Sequence, residues 1–445
     1  MVSLRPLRHL GFRRLAASYT LNELGWGFAT VALGLLVFDQ THSALATTAL
    51  WVCTLLVPAL VGPAATAQLD RAPTRRALPL LYVAEATIFA ALALLATTTP
   101  WLGLVLALAA VDGTLALVGR ALTRAAVAAT LKPHDQLEPG NALLNVSFAL
   151  CFAIGPALGG LVVAGYGVGA ALWVSAAIFV AMAVTLATSS SLPPAHAPTE
   201  DSWMTRLRAG LGHVMANRAV RQVLFFHATV FVCAAMISPI EVIWAKEVIG
   251  GGDSAYGVVL SAWGAGTLAT GLVLASLWRR VSALDRLPLA AGTIGVGYVV
   301  MTLATSLPVA VVGCFIGGAG NGFYYVSVVQ AIQDRVHDEF QGRVMGLLES
   351  TTAGTFGIGF LIAAALTELT AVRVTFAVTT AGVILATLWM VALLRRSGEA
   401  LSDAALSSHA GEQLDEAQLE VERAAVGVAR GDVGGERRRR DAEAL

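Results

Sequence analysis

Long apolar runs separated by short polar gaps dominate the chain, and each run has the length a helix needs to cross a bilayer, about 20 residues. Twelve can be placed, at roughly 15–38, 44–68, 77–98, 101–122, 142–165, 168–188, 221–245, 255–278, 288–306, 308–331, 344–366 and 372–394. A helix closes its own backbone hydrogen bonds, which lipid cannot do for it. The pattern therefore predicts an all-α integral membrane protein with twelve transmembrane helices. An even number of crossings returns the C-terminus to the side of the N-terminus.

The polar gaps are not equivalent. Of the Lys and Arg before the C-terminal tail, only Lys246 and Arg373 fall in the alternate gaps; the rest cluster as Arg5 to Arg14, Arg71 to Arg76, Arg120 to Lys132, Arg206 to Arg221, Arg279 to Arg286, Arg335 with Arg343, and Arg395-Arg396. Basic residues near segment ends stay on the cytoplasmic face. That rule puts both termini in the cytoplasm and the protein, multi-pass, in the cell (cytoplasmic) membrane. Arg13-Arg14 reads as an anchor for an uncleaved first helix, since the run that follows is too long for a signal segment and contains Asn22 and Glu23.

One gap is much longer than the others. It contains Pro193, Pro194 and Pro198, followed by a basic amphipathic stretch, and divides the runs six and six. The expected domains are 1–190 (six helices), 191–220 (a central cytoplasmic loop), 221–396 (six helices) and 397–445 (a polar cytoplasmic tail, predicted to be disordered). Two short similarities obey the same six-helix offset. His134-Asp135-Gln136 before run 5 matches His337-Asp338-Glu339 before run 11, and Arg76 to Leu80 matches Arg286 to Leu289. Duplicated halves are how many secondary transporters are built.

Composition agrees with the hydropathy pattern and excludes several chemistries. The 445 residues are 56% hydrophobic and 13% charged, more apolar than a soluble domain tolerates. Net charge is zero, so the arginines orient helices and do not point to nucleic acid. The excess of arginine over lysine fits a GC-rich bacterial genome. Cys53, Cys151, Cys233 and Cys314 fall in four different runs without a C-x-x-C pair, which supports neither a disulfide framework nor a metal site. Neither lysine, Lys132 or Lys246, is followed by Ser or Thr as a Walker A loop requires, and no hydrolase or zinc-protease motif is present. No enzyme, no metal and no bound cofactor are expected.

The candidate chemistry lies in ionisable residues inside the runs, each costing roughly 2.5–3.5 kcal/mol at a helix centre on insertion scales. They are Glu23 beside Asn22 in run 1, Glu85 in run 3, Asp112 in run 4, Glu241 late in run 7 and Glu349 early in run 11. Burial penalises a charged carboxylate, so Glu23 and Asp112 are the candidates for taking up and releasing a proton. Glu85 reads as a packing residue, Glu349 as a gate, and His227 as a helix-packing residue. Two glycine-rich stretches allow close helix approach. One is Gly155, Pro156, Gly159 and Gly160 in run 5; the other is Gly317 to Gly322 in run 10, which adds Asn321, Tyr324 and Tyr325 as a possible binding surface.

These residues together resemble the major facilitator superfamily, and within it the branch of macrolide efflux proteins and the enterobactin exporter. The likeness rests on Asp70-Arg71 and Arg75-Arg76 after run 2, Gly155 to Gly160 in run 5, and Gln333 to Val336 leading to Gly342-Arg343-Val344-Met345. Thr66, Pro73 and Cys151 depart from the usual pattern. The resemblance implies two pseudo-symmetric six-helix bundles with runs 1, 4, 7 and 10 around a central cavity. Asn22, Trp26, Glu241, Asn321, Tyr324 and Tyr325 would then be cavity candidates beside Glu23 and Asp112, and Asp70, Arg71, Arg75, Arg76, Gly342, Arg343 and Glu349 would gate the cytoplasmic end. It also implies a monomer that exchanges protons for a small amphipathic substrate, a drug, siderophore or natural product, moved outward by alternating access. Uptake symport and lysophospholipid translocation are the alternatives within transport, and a non-transporting receptor the alternative outside it.

Overall fold

The computed structural model describes residues 4–61, 74–98, 101–188, 217–277, 282–336 and 338–395. All regular structure among them is helical. We label the long helices α1 (Leu10–Thr41), α2 (Ala44–Val61), α3 (Thr74–Leu95), α4 (Leu102–Leu131), α5 (Leu137–Tyr166), α6 (Val168–Ala187), α7 (Arg218–Ala235), α8 (Gly252–Leu277), α9 (Ala283–Leu303), α10 (Leu307–Gln333), α11 (Asp338–Leu369) and α12 (Val372–Arg395). Among the described residues eleven helices are long and apolar enough to cross a membrane; α8 is the long helix outside that set. The chain divides into two compact units, Met1–Thr387 and Leu388–Leu445, and helices α1 to α11 lie wholly in the first.

Several helices depart from the hydropathy pattern. Helix α4 runs on to Leu131, past the predicted end at 122, so Arg124 lies within it together with Arg120. The seventh run, expected to be continuous, is broken: α7 stops at Ala235, and a turn carrying Pro239 leads to a short segment, Glu241–Ile243, and a π-helical turn, Trp244–Val248. Proline removes a backbone donor and crowds the preceding turn, which accounts for the stop. Helix α2 contains a second π-helical turn, Val52–Leu56. Its start is set locally: His42, in the left-handed region at φ 46°, ends α1, and Ser43 caps α2 by accepting from the Ala46 N–H at 3.4 Å.

Helix α1 is the most enclosed, and it packs on α4, α5 and α6. Its Gly27 lies against Gly155 and Pro156 of α5, where an added Cβ would be 2.9 Å from the Gly155 Cα. Further along the chain, α8 and α9 both pack on α10, and α7 packs on α11. Two seams connect these groups, α5 with α8 and α2 with α11.

The α5–α8 seam follows from small residues. Gly257, Ser261 and Gly264 line one stripe of α8; Gly257 meets the Pro156 carbonyl and Gly160, and Gly264 meets the Phe152 backbone so closely that no side chain fits. Pro156 cannot donate to the Phe152 carbonyl, which is thereby left facing Gly264. One residue on, the Ala157 N–H donates to Ser261 Oγ at 2.7 Å. At the α2–α11 seam Trp51 meets Phe360, and Leu56 fills the space beside Gly357.

Candidate functional site

A cavity lies between α1, α2 and α4. Its walls are Trp26, Ala29, Thr30 and Leu33 of α1, Leu50, Trp51, Thr54 and Leu55 of α2, and Asp112, Gly113, Ala116 and Arg120 of α4. The spacing on each helix is that of one face. Gly113 allows this arrangement: a Cβ there would meet the Thr54 carbonyl oxygen at 2.5 Å and push α2 away from α4. The Trp26 ring is stacked with Phe152 of α5 at 6.0 Å between centroids, which fixes one wall.

Charge collects behind this cavity. Glu23, 3% exposed and nearly one turn before Trp26, accepts a hydrogen bond from Asn22 Nδ2 at 3.3 Å. Asp112 borders the cavity, yet its Oδ1 is buried without a hydrogen-bond partner. Glu85 of α3 is wholly buried, and neither carboxyl oxygen has a partner. The three carboxyls have a common cation, because Arg120 lies within electrostatic reach of each, and Arg124 reaches Glu23 as well. Buried charge is tolerable only when paired in this way.

The structure thus brings together Trp26 and Asp112 on the cavity wall, with Asn22 and Glu23 beside them. Glu85, read from the sequence as a packing residue, belongs to the same cluster. Its signal was its place at the centre of an apolar helix. Arg120 stands eight residues after Asp112, about two turns on and near the same face, a spacing already present within the predicted run 101–122. Trp51 and Thr54 carried no such signal.

The other candidates lie elsewhere. Glu241 is buried at the start of the segment after α7, near Tyr256 and Tyr298. Tyr324 is fully buried, its ring stacked 5.9 Å from His227, while Asn321 is half-buried and Tyr325 is 37% exposed. His227 is buried in the helix packing, its Nε2 hydrogen-bonded with Thr352 Oγ1 at 2.9 Å, while Thr352 Oγ1 also donates to the Leu348 carbonyl at 2.8 Å. The Gly317 to Gly322 run is taken up by packing, with Gly318 on the Trp263 backbone and Gly320 on Ile294. Arg75 and Arg76 are exposed at the start of α3. Asp70 and Arg71 lie outside the described residues; Gly342, Arg343 and Glu349 fall on α11, with their surroundings outside the described set.

Lys246 forms a two-carboxylate bridge. Its Nζ is 2.5 Å from Asp39 Oδ1 at the end of α1 and 2.6 Å from Asp253 Oδ1 at the start of α8. The sequence places Glu241 and Glu247 nearest to it, but the π-helical turn directs it to these two partners instead. Ser43 Oγ donates to Glu368 Oε1 at 3.4 Å, so the same end of the bundle also joins the α1–α2 turn to the end of α11.

A bundle of long apolar helices, with a small-residue seam between α5 and α8 and a cavity bordered by charged groups, is the architecture of a membrane transporter and not of an enzyme. The chain belongs to the transmembrane secretion effector family of the major facilitator superfamily, whose model matches residues 1–432. It is 27% identical over 241 residues to the multidrug efflux pump Tap of Mycobacterium bovis and of Mycobacterium tuberculosis. That match covers 53% of this chain and 56% of the pump, so the chain spans little more than half the length of these curated relatives. Among solved structures it is similar to the nucleoside transporter NupG (TM-score 0.70, 13% identity, 86% of this chain and 99% of that one). It is also similar to a bacterial homologue of the human lysosomal transporter Spinster, described as inward-facing and unoccupied (TM-score 0.66, 13% identity, 87% and 97%). At such identities the likeness defines the fold.

Proposed function

We propose that this protein exports small amphipathic molecules across the cytoplasmic membrane in exchange for protons. In this reading twelve helices cross the membrane as two six-helix halves, within 1–190 and 221–396, with both termini cytoplasmic. The protein works as a monomer without a bound cofactor. The observation that carries the reading is the cavity itself: two indole rings, Trp26 and Trp51, offer flat apolar surface, and Asp112 and Arg120 offer charge at the same wall. Such a wall accepts a molecule with one apolar and one polar end. The resemblance to a multidrug efflux pump favours outward movement over uptake.

The Lys246 bridge and the Ser43–Glu368 contact then lie on the outer side, and the α5–α8 seam limits leak through the closed outer half. Glu23 and Asp112 take protons from outside and release them inward as the cavity changes access. Energy suffices without ATP, since a proton gains about 2.3 kcal/mol per ~100 mV of membrane potential and about 1.36 kcal/mol per pH unit. The test is a panel of amphipathic dyes and antibiotics, ethidium included, in membrane vesicles of both orientations. Export predicts accumulation in inside-out vesicles that collapses when the proton gradient is dissipated. Accumulation confined to right-side-out vesicles would overturn it in favour of uptake.

A further inference from the structure

We propose that Glu85 and Asp112 work as one proton-holding pair, with Asp112 as the cavity-facing entry and Glu85 as the buried store behind it. The inference rests on the proton-driven reading of this protein and names the site where the proton is kept. Glu85 stands near the middle of α3, without exposure and without a partner for either oxygen. On its own helix Tyr82 is close, but the Tyr82 hydroxyl is engaged with Thr123 Oγ1 at 3.4 Å. From α4 come Asp112 and Arg120. Helix α6, the other long helix packed on α3, brings only apolar rings and small polar groups: Phe179 stacks on Phe89 at 5.2 Å, and Val168–Ala187 contains no ionisable residue.

Glu85 is buried while Asp112 and Arg120 are half-buried at the cavity wall, and these two carboxylates and one guanidinium carry an excess negative charge, with that guanidinium also shared with Glu23. A partnerless carboxylate at this depth is untenable. One proton between the pair removes the excess charge and gives the bare oxygens an O–H donor. The step is a plain transfer: a proton from cavity water binds an Asp112 oxygen, that O–H breaks, and a new O–H forms on Glu85 while Asp112 regains its carboxylate. Release reverses it. Because Asp112 borders the cavity beside Trp26, a cationic group arriving there would compete with the proton at the entry rather than at the store.

Infrared difference spectroscopy of the full chain in lipid nanodiscs, titrated without any substrate, tests the pair. On a Glu241→Gln background, which removes the other buried carboxyl without a cation, the protein should have a protonated-carboxyl stretch at neutral pH that Glu85→Gln removes and Glu85→Asp retains at a shifted frequency. Asp112→Asn, which leaves Glu85 in place, should move the midpoint of that band to lower pH by about one unit or more, as a coupled neighbour requires. A background protein without the band, a band that survives Glu85→Gln, or a midpoint that ignores Asp112→Asn would each overturn the proposal. Should the Glu85→Gln variant fail to fold, the Asp112→Asn titration decides alone. The two readings fail separately: an intact band with uptake-only vesicles sinks export, and an absent band with proton-driven export sinks the pair.

Discussion

Lys246 and Arg373, the two basic residues that break the charge alternation, each have a structural task. Arg373 Nη2 donates to the Ala304 carbonyl at 3.1 Å, closing the C-terminal end of α9, where a cation also meets the helix dipole favourably. Lys246 is partly buried, which pulls its ammonium down. The hydrogen bonds to Asp253 and Asp39, and then the charges of those two groups, outweigh this and hold it above the usual lysine value. The sign follows: a raised folded value contributes stability in full below the unfolded lysine value of about 10.4 and loses it as pH rises through the folded one. Lys246→Gln should therefore lower thermal stability by a constant margin across neutral pH, on the order of 1 kcal/mol. The margin should close only in strongly alkaline buffer. Melting curves of both proteins in detergent over that pH range measure it, and a margin that closed near neutrality would contradict the bridge.

At the scale of elements, the α5–α8 seam makes the sharpest demands. Ser261 gives the Ala157 N–H an acceptor next to a proline-interrupted turn, so Ser261→Ala should cost about 1 kcal/mol and leave a folded protein. Gly264→Val should be far worse, because any Cβ meets the Phe152 backbone and the two helices must part. Thermal melts with size-exclusion profiles distinguish a graded loss from a collapse of the seam. Helix existence was legible, since a long apolar run has few alternatives in lipid. Helix ends were not: the predicted run stops at 122, before Arg124, whereas α4 continues to Leu131 and brings Arg124 as well as Arg120 within electrostatic reach of Glu23. The break after α7 was legible in principle from Pro239, yet the surrounding apolar residues masked it. For the site, Trp26, Glu23 and Asp112 could be read as polar or aromatic residues on predicted core helices. Trp51 and Thr54 could not, because only the approach of α2 to α4 across Gly113 makes them cavity residues.

For the whole molecule, alternating access requires one end of the bundle to open while the other closes. On the proposed mechanism the membrane carboxylates, and not the tail, drive that change. Removing residues 398–445 should leave efflux of an exported dye within about twofold of wild type, whereas Glu23→Gln or Asp112→Asn should abolish its dependence on the proton gradient, a loss of at least tenfold if each supplies one coupling step worth more than ~1.4 kcal/mol. Dye efflux from energised cells compares all three. The closed end supplies the harder test. Asp39 on α1 and Asp253 on α8 are held together through Lys246, so the bridge spans elements on opposite sides of the α5–α8 seam. On the proposed topology this end is the outer one, and an outward-open state would have to break the bridge. A short bismaleimide spacer between cysteines at these two positions replaces the reversible ion pair with a permanent link. Asp39→Cys combined with Lys246→Cys, with Cys53, Cys151, Cys233 and Cys314 replaced, should lose transport on cross-linking and retain it with a monofunctional maleimide. Equal transport before and after complete cross-linking would mean that this end never opens, and that the cavity communicates with the other side by a different route.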